Sequence, residues 1–179
     1  MPSGDVGRVP AGAAGILLLA LVAVIAAFHP PQFSDNAFGS GNVTIRRHGK
    51  NAEDTGNWDW DGRILKRSGR NENDEANWEF DGRILKRLGR GDRDGGNWEW
   101  DGRILKRFGK SDNAPGTWEW NGRTLRKRGK TDCGRCGWEW EWDGRILKKS
   151  GRSDSAQGNW EADGEVPVPV LAMAAGALR

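Results

Sequence analysis

The chain has no tyrosine, only two cysteines and only two histidines in 179 residues. Without tyrosine, the aromatic content rests on eleven Trp and five Phe, and nearly all of it falls inside one repeated unit. The repeat is therefore the architecture. Cys133 and Cys136 form a single CxxC in "DCGRCG"; a zinc site needs two more ligands, and the only histidines are His29 and His48. A redox CxxC belongs at a helix start in a βαβ setting, and no such setting surrounds it. The pair reads as a small disulfide or as two free thiols in a loop. Charge of one sign is also scarce: 28 basic and 25 acidic residues leave a net +3. That excludes the strong basic stripe of a dedicated nucleic-acid-binding domain, and no specific nucleic acid is expected as a partner.

A lone nucleophile with a base and an orienting group is missing as well. Acids and arginines are plentiful, but they recur in every unit, as scaffold residues do. No enzyme activity, metal or cofactor is expected.

One long apolar run is present. Residues 11–28, "AGAAGILLLALVAVIAAF", are uninterrupted by charge. Eighteen residues is short for a membrane span and long for a signal-peptide core. Residues 1–28 read as a signal peptide or as an uncleaved membrane anchor, and an N-terminal hydrophobic helix is expected there. Arg8 is offset by Asp5, so charge does not set the side of the membrane. Residues 29–41 read as a linker, 42–166 as the repeat array, and 167–179 as an apolar tail that docks as a closing strand or lies on a membrane.

The array is written in units of W-[DE]-[WF]-[DN]-G-R-x-L-[KR]-[RK]-x-G. "NWEWDGRILKRFGK" begins at Asn97, with close copies from Asn57, Asn77 and Thr117, another at Glu139, and a truncated "NWEADGE" at the end. Asp-Gly or Asn-Gly between short runs signals a hairpin, because a type I′ turn needs positive φ at both central residues. The pairs are Asp61-Gly62, Asp81-Gly82, Asp101-Gly102, Asn121-Gly122 and Asp143-Gly144, with a partial sixth at Asp163-Gly164. A two-residue turn sets Trp60 opposite Arg63, Asp59 opposite Ile64 and Trp58 opposite Leu65. Trp58, Trp60, Arg63, Leu65 and Arg67 then share one face, and Asp59, Ile64 and Lys66 share the other. Arg63 is expected to lie against the Trp60 ring.

A single hairpin is marginal in water. Hairpins with the same Trp face gain by pooling it into one core. The array opens on "GNVTIRRHGKN", a second strand without a first, and closes on "NWEADGE", a first strand without a second. Trp160 beside Val43–Arg47 would complete a sixth unit and close the ring.

The pattern W-x-[WF]-D-G-x-x-L-x-x-x-x-G, recurring about every twenty residues across 42–166, resembles the bacterial β-flower family (the 4-fold β-flower proteins). The resemblance implies an all-β, shallow, symmetric, barrel-like fold of radial hairpins, with membrane anchoring in some members, a likeness to tubby-type lipid-binding domains and no catalytic residues. The chain departs from the pattern at "WEWEWDG", where two residues are inserted at Trp138–Gly144, and at the CxxC before it.

Two functional readings follow. In the first, the protein is a membrane-anchored or secreted, non-catalytic scaffold or binding module. Its repeated Lys/Arg runs form a ring that meets anionic lipid headgroups or an acidic polymer. Its candidate binding residues are Trp60 with Arg63, Phe80 with Arg83, Trp100 with Arg103, Trp120 with Arg123, and Trp142 with Arg145, around the shared apolar centre. In the second, the chain is a secreted precursor cut at dibasic pairs such as Lys66-Arg67 into short peptides. Strict alternation of W-x-W-D-G favours the first.

Overall fold

The computed structural model describes residues 41–130 and 138–178. The expected N-terminal helix, most of the linker, and Cys133 with Cys136 lie outside these residues. Twelve strands run in the order β1 (Val43–Arg47), β2 (Trp58–Trp60), β3 (Ile64–Arg67), β4 (Trp78–Phe80), β5 (Ile84–Arg87), β6 (Trp98–Trp100), β7 (Ile104–Arg107), β8 (Trp118–Trp120), β9 (Thr124–Lys127), β10 (Glu139–Trp142), β11 (Ile146–Lys149) and β12 (Trp160–Ala162). A helix, α1 (Val168–Ala174), follows. Every strand pairs antiparallel with its sequence neighbours, and β1 pairs with β12, so the sheet is a closed barrel of six hairpin units. Closure removes the unpaired edges that a linear stack would leave.

The sixth unit is made from the two ends of the array, as the complementary fragments predict. Arg47 lies opposite Trp160 and Ile45 opposite Ala162. Asp163 even rebuilds the missing turn: its Oδ1 accepts the Thr44 N–H at 2.7 Å, and its own N–H reaches the Thr44 carbonyl at 3.3 Å.

The hairpin turn differs from the expected type I′ turn. Among the described residues no residue other than glycine has positive φ, so Asp61 does not adopt the left-handed conformation that type I′ requires. Instead Asp61 Oδ1 accepts the N–H groups of Arg63 (2.8 Å) and Ile64 (2.6 Å), an Asx turn, and Gly62 alone takes φ of 99°. The loop lengthens by two residues, and the register slips with it. Trp60 faces Leu65, Asp59 faces Lys66, and Trp58 faces Arg67. A slip of two preserves the faces, because side chains alternate with period two. It removes Arg63 from the ladder and from the Trp60 ring. The Arg63 side chain points outward to Glu79 of the next unit, with Nε to Oε1 at 2.8 Å.

The lumen holds the expected Trp face. Trp58, Trp60, Trp98, Trp100, Trp118, Trp140 and Trp160 are all buried, with Phe80. Ile45, Leu65, Leu85, Leu105, Leu125 and Leu147 form a girdle between them that is almost wholly excluded from water. Burying each of these aliphatic side chains stabilises the fold by roughly 1.5–3 kcal/mol. A barrel of about eight strands is just filled by side chains, so twelve strands leave a wider lumen. The indoles fill part of it and the C-terminal tail fills the rest. The tail is neither a closing strand nor a surface segment: α1 stands inside the barrel with Pro169 through Ala174 buried. Pro169 falls in its first turn, where a missing N–H costs nothing. Trp58 Nε1 donates to the Ala174 carbonyl at 3.1 Å and pins the helix end to the wall.

Between units, four of the loops are held by a buried Asn. Asn77 Nδ2 donates to the carbonyls of Asn71 (2.8 Å) and Glu72 (2.9 Å), and Asn57, Asn97 and Asn159 repeat the pattern. Thr117 stands at this position in the fourth unit, also buried. Gly69 and its equivalents, at φ near 80°, provide the reverse turn that starts each loop, which other residues adopt only with strain. Among the described residues no helix is long and apolar enough to cross a membrane.

Candidate functional site: two unlike barrel mouths

The dibasic pairs split across the wall. The first member faces outward into a belt of charge. Lys66, Lys86, Lys106 and Lys148 lie opposite Asp59, Glu79, Glu99 and Glu141. Each ammonium also reaches an acid in the next loop: Lys66 to Glu72 (3.2 Å), Lys86 to Asp92 (2.5 Å), Lys106 to Asp112 (2.8 Å) and Lys148 to Asp154 (2.7 Å). The hydrogen bonds that Lys86, Lys106 and Lys148 donate to Asp92, Asp112 and Asp154 raise the pKa of the three lysines. The belt is internally neutralised, so it offers little to an outside anion. On the sixth unit Glu161 takes Arg46 and His48. The His48 hydrogen bond, aided by Arg46, holds the Glu161 carboxyl below its ordinary range.

The second member turns inward at one end of the barrel and caps a tryptophan. Arg67 stands 3.9 Å from the Trp58 ring centroid, Arg107 4.3 Å from Trp98, and Arg87 4.6 Å from Trp78. Arg47, Lys149 and Lys127 do the same over Trp160, Trp140 and Trp118 at 5.2–5.8 Å. The expected stacking of Arg63 on Trp60 is not formed; the slip in register brings Arg67 opposite Trp58 instead, and that cation stacks on that ring. A stacked cation of this kind contributes about 0.5–2 kcal/mol. A cavity of about 450 Å³ opens here, lined by Arg67, Arg70, Arg87 and Arg107 with Trp58 and Trp78, and floored by Met173 and Leu178 of the tail. Among the described residues no carboxylate lines it. Burial pulls the Arg107 guanidinium below its ordinary value, although an arginine remains charged. Arg87 Nη1 is steadied by the Ala76 carbonyl at 2.7 Å, and Arg67 and Arg107 make the same bond to Gly56 and Gly96.

The opposite mouth, at the Asp-Gly turns, has another character. Phe80, Trp100, Trp120 and Trp142 line a cavity of about 440 Å³ together with Glu165 and residues 166–168, where the chain enters the lumen. These four aromatics, read from the sequence as candidate binding residues, lie together at this mouth. Trp60 is 1% exposed and does not line the cavity. Arg63, Arg83, Arg103, Arg123 and Arg145 do not line it either. Arg63, Arg83 and Arg103 bridge to Glu79, Glu99 and Glu119 on the outer wall. The inward arginines and Glu165 were not among the candidates. Arg67 was legible as a member of the Trp face, whereas nothing in the sequence placed Glu165 at a barrel mouth.

Among the described residues, no group of three or more His, Cys, Asp or Glu side chains is arranged to hold a metal ion. No protein-family model, curated protein or solved structure matches the chain.

Proposed function

We propose that the protein is a non-catalytic, membrane-associated or exported binding module of the β-flower type, whose basic mouth takes the phosphorylated headgroups of anionic lipids. The observation that carries this is the cavity walled by Arg67, Arg70, Arg87 and Arg107, which no carboxylate of the described residues lines. Guanidinium forks match phosphate oxygens bidentately, and their weak hydration makes them less costly to desolvate than ammonium groups. Tryptophan faces behind three of them fix their orientation before a ligand arrives.

Titration of the full-length protein with inositol trisphosphate tests the reading, since a soluble headgroup separates the mouth from any anchor. Saturable binding that weakens steeply with salt is expected. Replacing Arg87 and Arg107 by Gln should abolish it while the near-ultraviolet circular dichroism is retained. Binding unaffected by the two substitutions would end the proposal. The peptide-precursor reading has no observation in its favour: its dibasic pairs lie inside strands, closed to a protease until the barrel opens.

A further inference from the structure

We propose that the turn-end mouth is a second site, which binds a quaternary ammonium group. Its walls are Phe80, Trp100, Trp120 and Trp142, and among the described residues the one formal charge lining it is the Glu165 carboxylate. Phe80 and Trp100 are buried at 4% and 6%, so they form the fixed back of the cavity, while Trp120 and Trp142 keep exposed surface for a ligand. Glu165 is exposed and makes no hydrogen bond or ion pair among the described residues. The volume of about 440 Å³ falls in the range of small-molecule sites.

The chemistry of the lining selects the ligand. Aromatic faces carry negative electrostatic potential and attract a cation most strongly when water is excluded. An ammonium with N–H groups would lose hydrogen bonds to water that four aromatic rings cannot replace. A trimethylammonium group has none to lose and presents methyl groups to the indoles. An anion would meet Glu165 and the electron-rich faces. The turn carboxylates beside the cavity add to the same field. Asp101 and Asp143 precede the lining residues Gly102 and Gly144, and each commits one oxygen to two backbone N–H groups of its own turn. Arg103 is drawn away to Glu119 on the outer wall.

The sixth unit accounts for the opening. Five units place an aromatic at this level of the lumen, and the sixth places Ala162. The chain turns inward just beyond it, with Gly164 packed so closely on Val43 that a Cβ would meet Cγ2 at 2.7 Å. Residues 165–168 thus reach the cavity because one aromatic is absent, and they bring the carboxylate with them.

Choline and its neutral isostere 3,3-dimethyl-1-butanol are the discriminating probes, titrated against the full-length protein by tryptophan fluorescence and calorimetry. Choline is expected to bind at least about tenfold more tightly than the isostere, a preference of about 1.4 kcal/mol. Trp142→Phe should keep most of that preference, Trp142→Leu should remove it, and Glu165→Gln should weaken choline severalfold without affecting the isostere. Phosphocholine and Nε-trimethyl-lysine then distinguish the sources: whichever gains over choline shows whether a headgroup or a methylated protein carries the group. Equal affinity for choline and isostere would overturn the proposal, as would no binding of choline at millimolar concentration. Either failure leaves the anionic site at the other mouth untouched.

Discussion

The helix in the lumen makes the most exacting prediction. Leu171 is 1% exposed, and Val170, Ala172 and Ala174 around it are buried to the same degree. Leu171→Ala removes about three methylene equivalents, which is about 2.4 kcal/mol of transfer free energy at ~0.8 kcal/mol each. The barrel wall is a continuous ring of hydrogen bonds and cannot fold inward to fill the gap. A residual cavity of about 70 Å³, at ~24 cal/mol per Å³, adds about 1.7 kcal/mol. The expected loss is therefore near 4 kcal/mol, a fall of roughly 12–20 °C in melting temperature for a domain of this size. Thermal melts of the full-length protein, followed by tryptophan fluorescence and by far-ultraviolet circular dichroism, measure it. Leu171→Met, which conserves volume, should cost less than about 1.5 kcal/mol. A loss below about 1 kcal/mol for the alanine variant would show that the tail does not occupy the lumen, and the account of how twelve strands are filled would fail with it.

Three further outcomes are expected. Trp60→Ala should cost about 3–5 kcal/mol in chemical denaturation, since the ring is buried in the core rather than serving as an exposed platform. Asn97→Ala strips the hydrogen bonds from the Gly91 and Asp92 carbonyls and should cost about 1–3 kcal/mol, with loop 91–97 showing the earliest amide exchange. Acid should destabilise the barrel through carboxyls whose pKa is lowered in the fold: Glu161 by His48 and Arg46, and Asp54 and Asp74 by the backbone N–H groups of Gly56 and Ala76. Their contribution is fully present above the ordinary values of 4.5 and 3.8 and is lost as pH falls through the lower folded values, so melting temperature against pH should be flat near neutrality and drop below about pH 4. A melting temperature that stayed constant down to pH 2 would contradict these assignments.

The barrel was legible because its signal is periodic and repeated. Trp58, Trp60, Leu65 and Arg67 alternate onto one face in any register that differs by an even number of residues, so the core could be read although the turn was not. The turn was illegible for a specific reason. Asp-Gly encodes two competing geometries, a type I′ turn and an Asx turn, and the choice depends on whether the carboxylate finds the N–H groups two and three residues on. Arg63 is the casualty of that choice, because a two-residue difference in loop length moves it from the sheet into the loop. The tail was illegible for another reason. "VPVPV" alternates like a strand, carries two prolines and has no helix-capping side chain. It becomes a helix because the lumen, shielded from water, leaves its backbone no other partners.

Sixfold repetition separates fold from function more sharply than any single motif does. A residue type kept in most units answers to the ring: the girdle aliphatics, the turn Asp and the belt of acids with their cations fall here, and changing one copy perturbs the barrel whatever the protein binds. Function is better sought where copies differ. Ala162 breaks the aromatic series and admits the tail that carries Glu165. The second series of cations is Arg at four positions and Lys at two, so one side of the basic mouth is built from planar forks and the other from point charges. The inserted pair before β10 leaves Trp138 at 38% exposure, the one large hydrophobic side chain of the described residues left in water, with Lys130 5.0 Å from its ring centroid. A perfect ring would offer identical sectors to any ligand and could orient none of them. These departures give each mouth a direction, which is what a barrel needs to bind an asymmetric molecule in one pose.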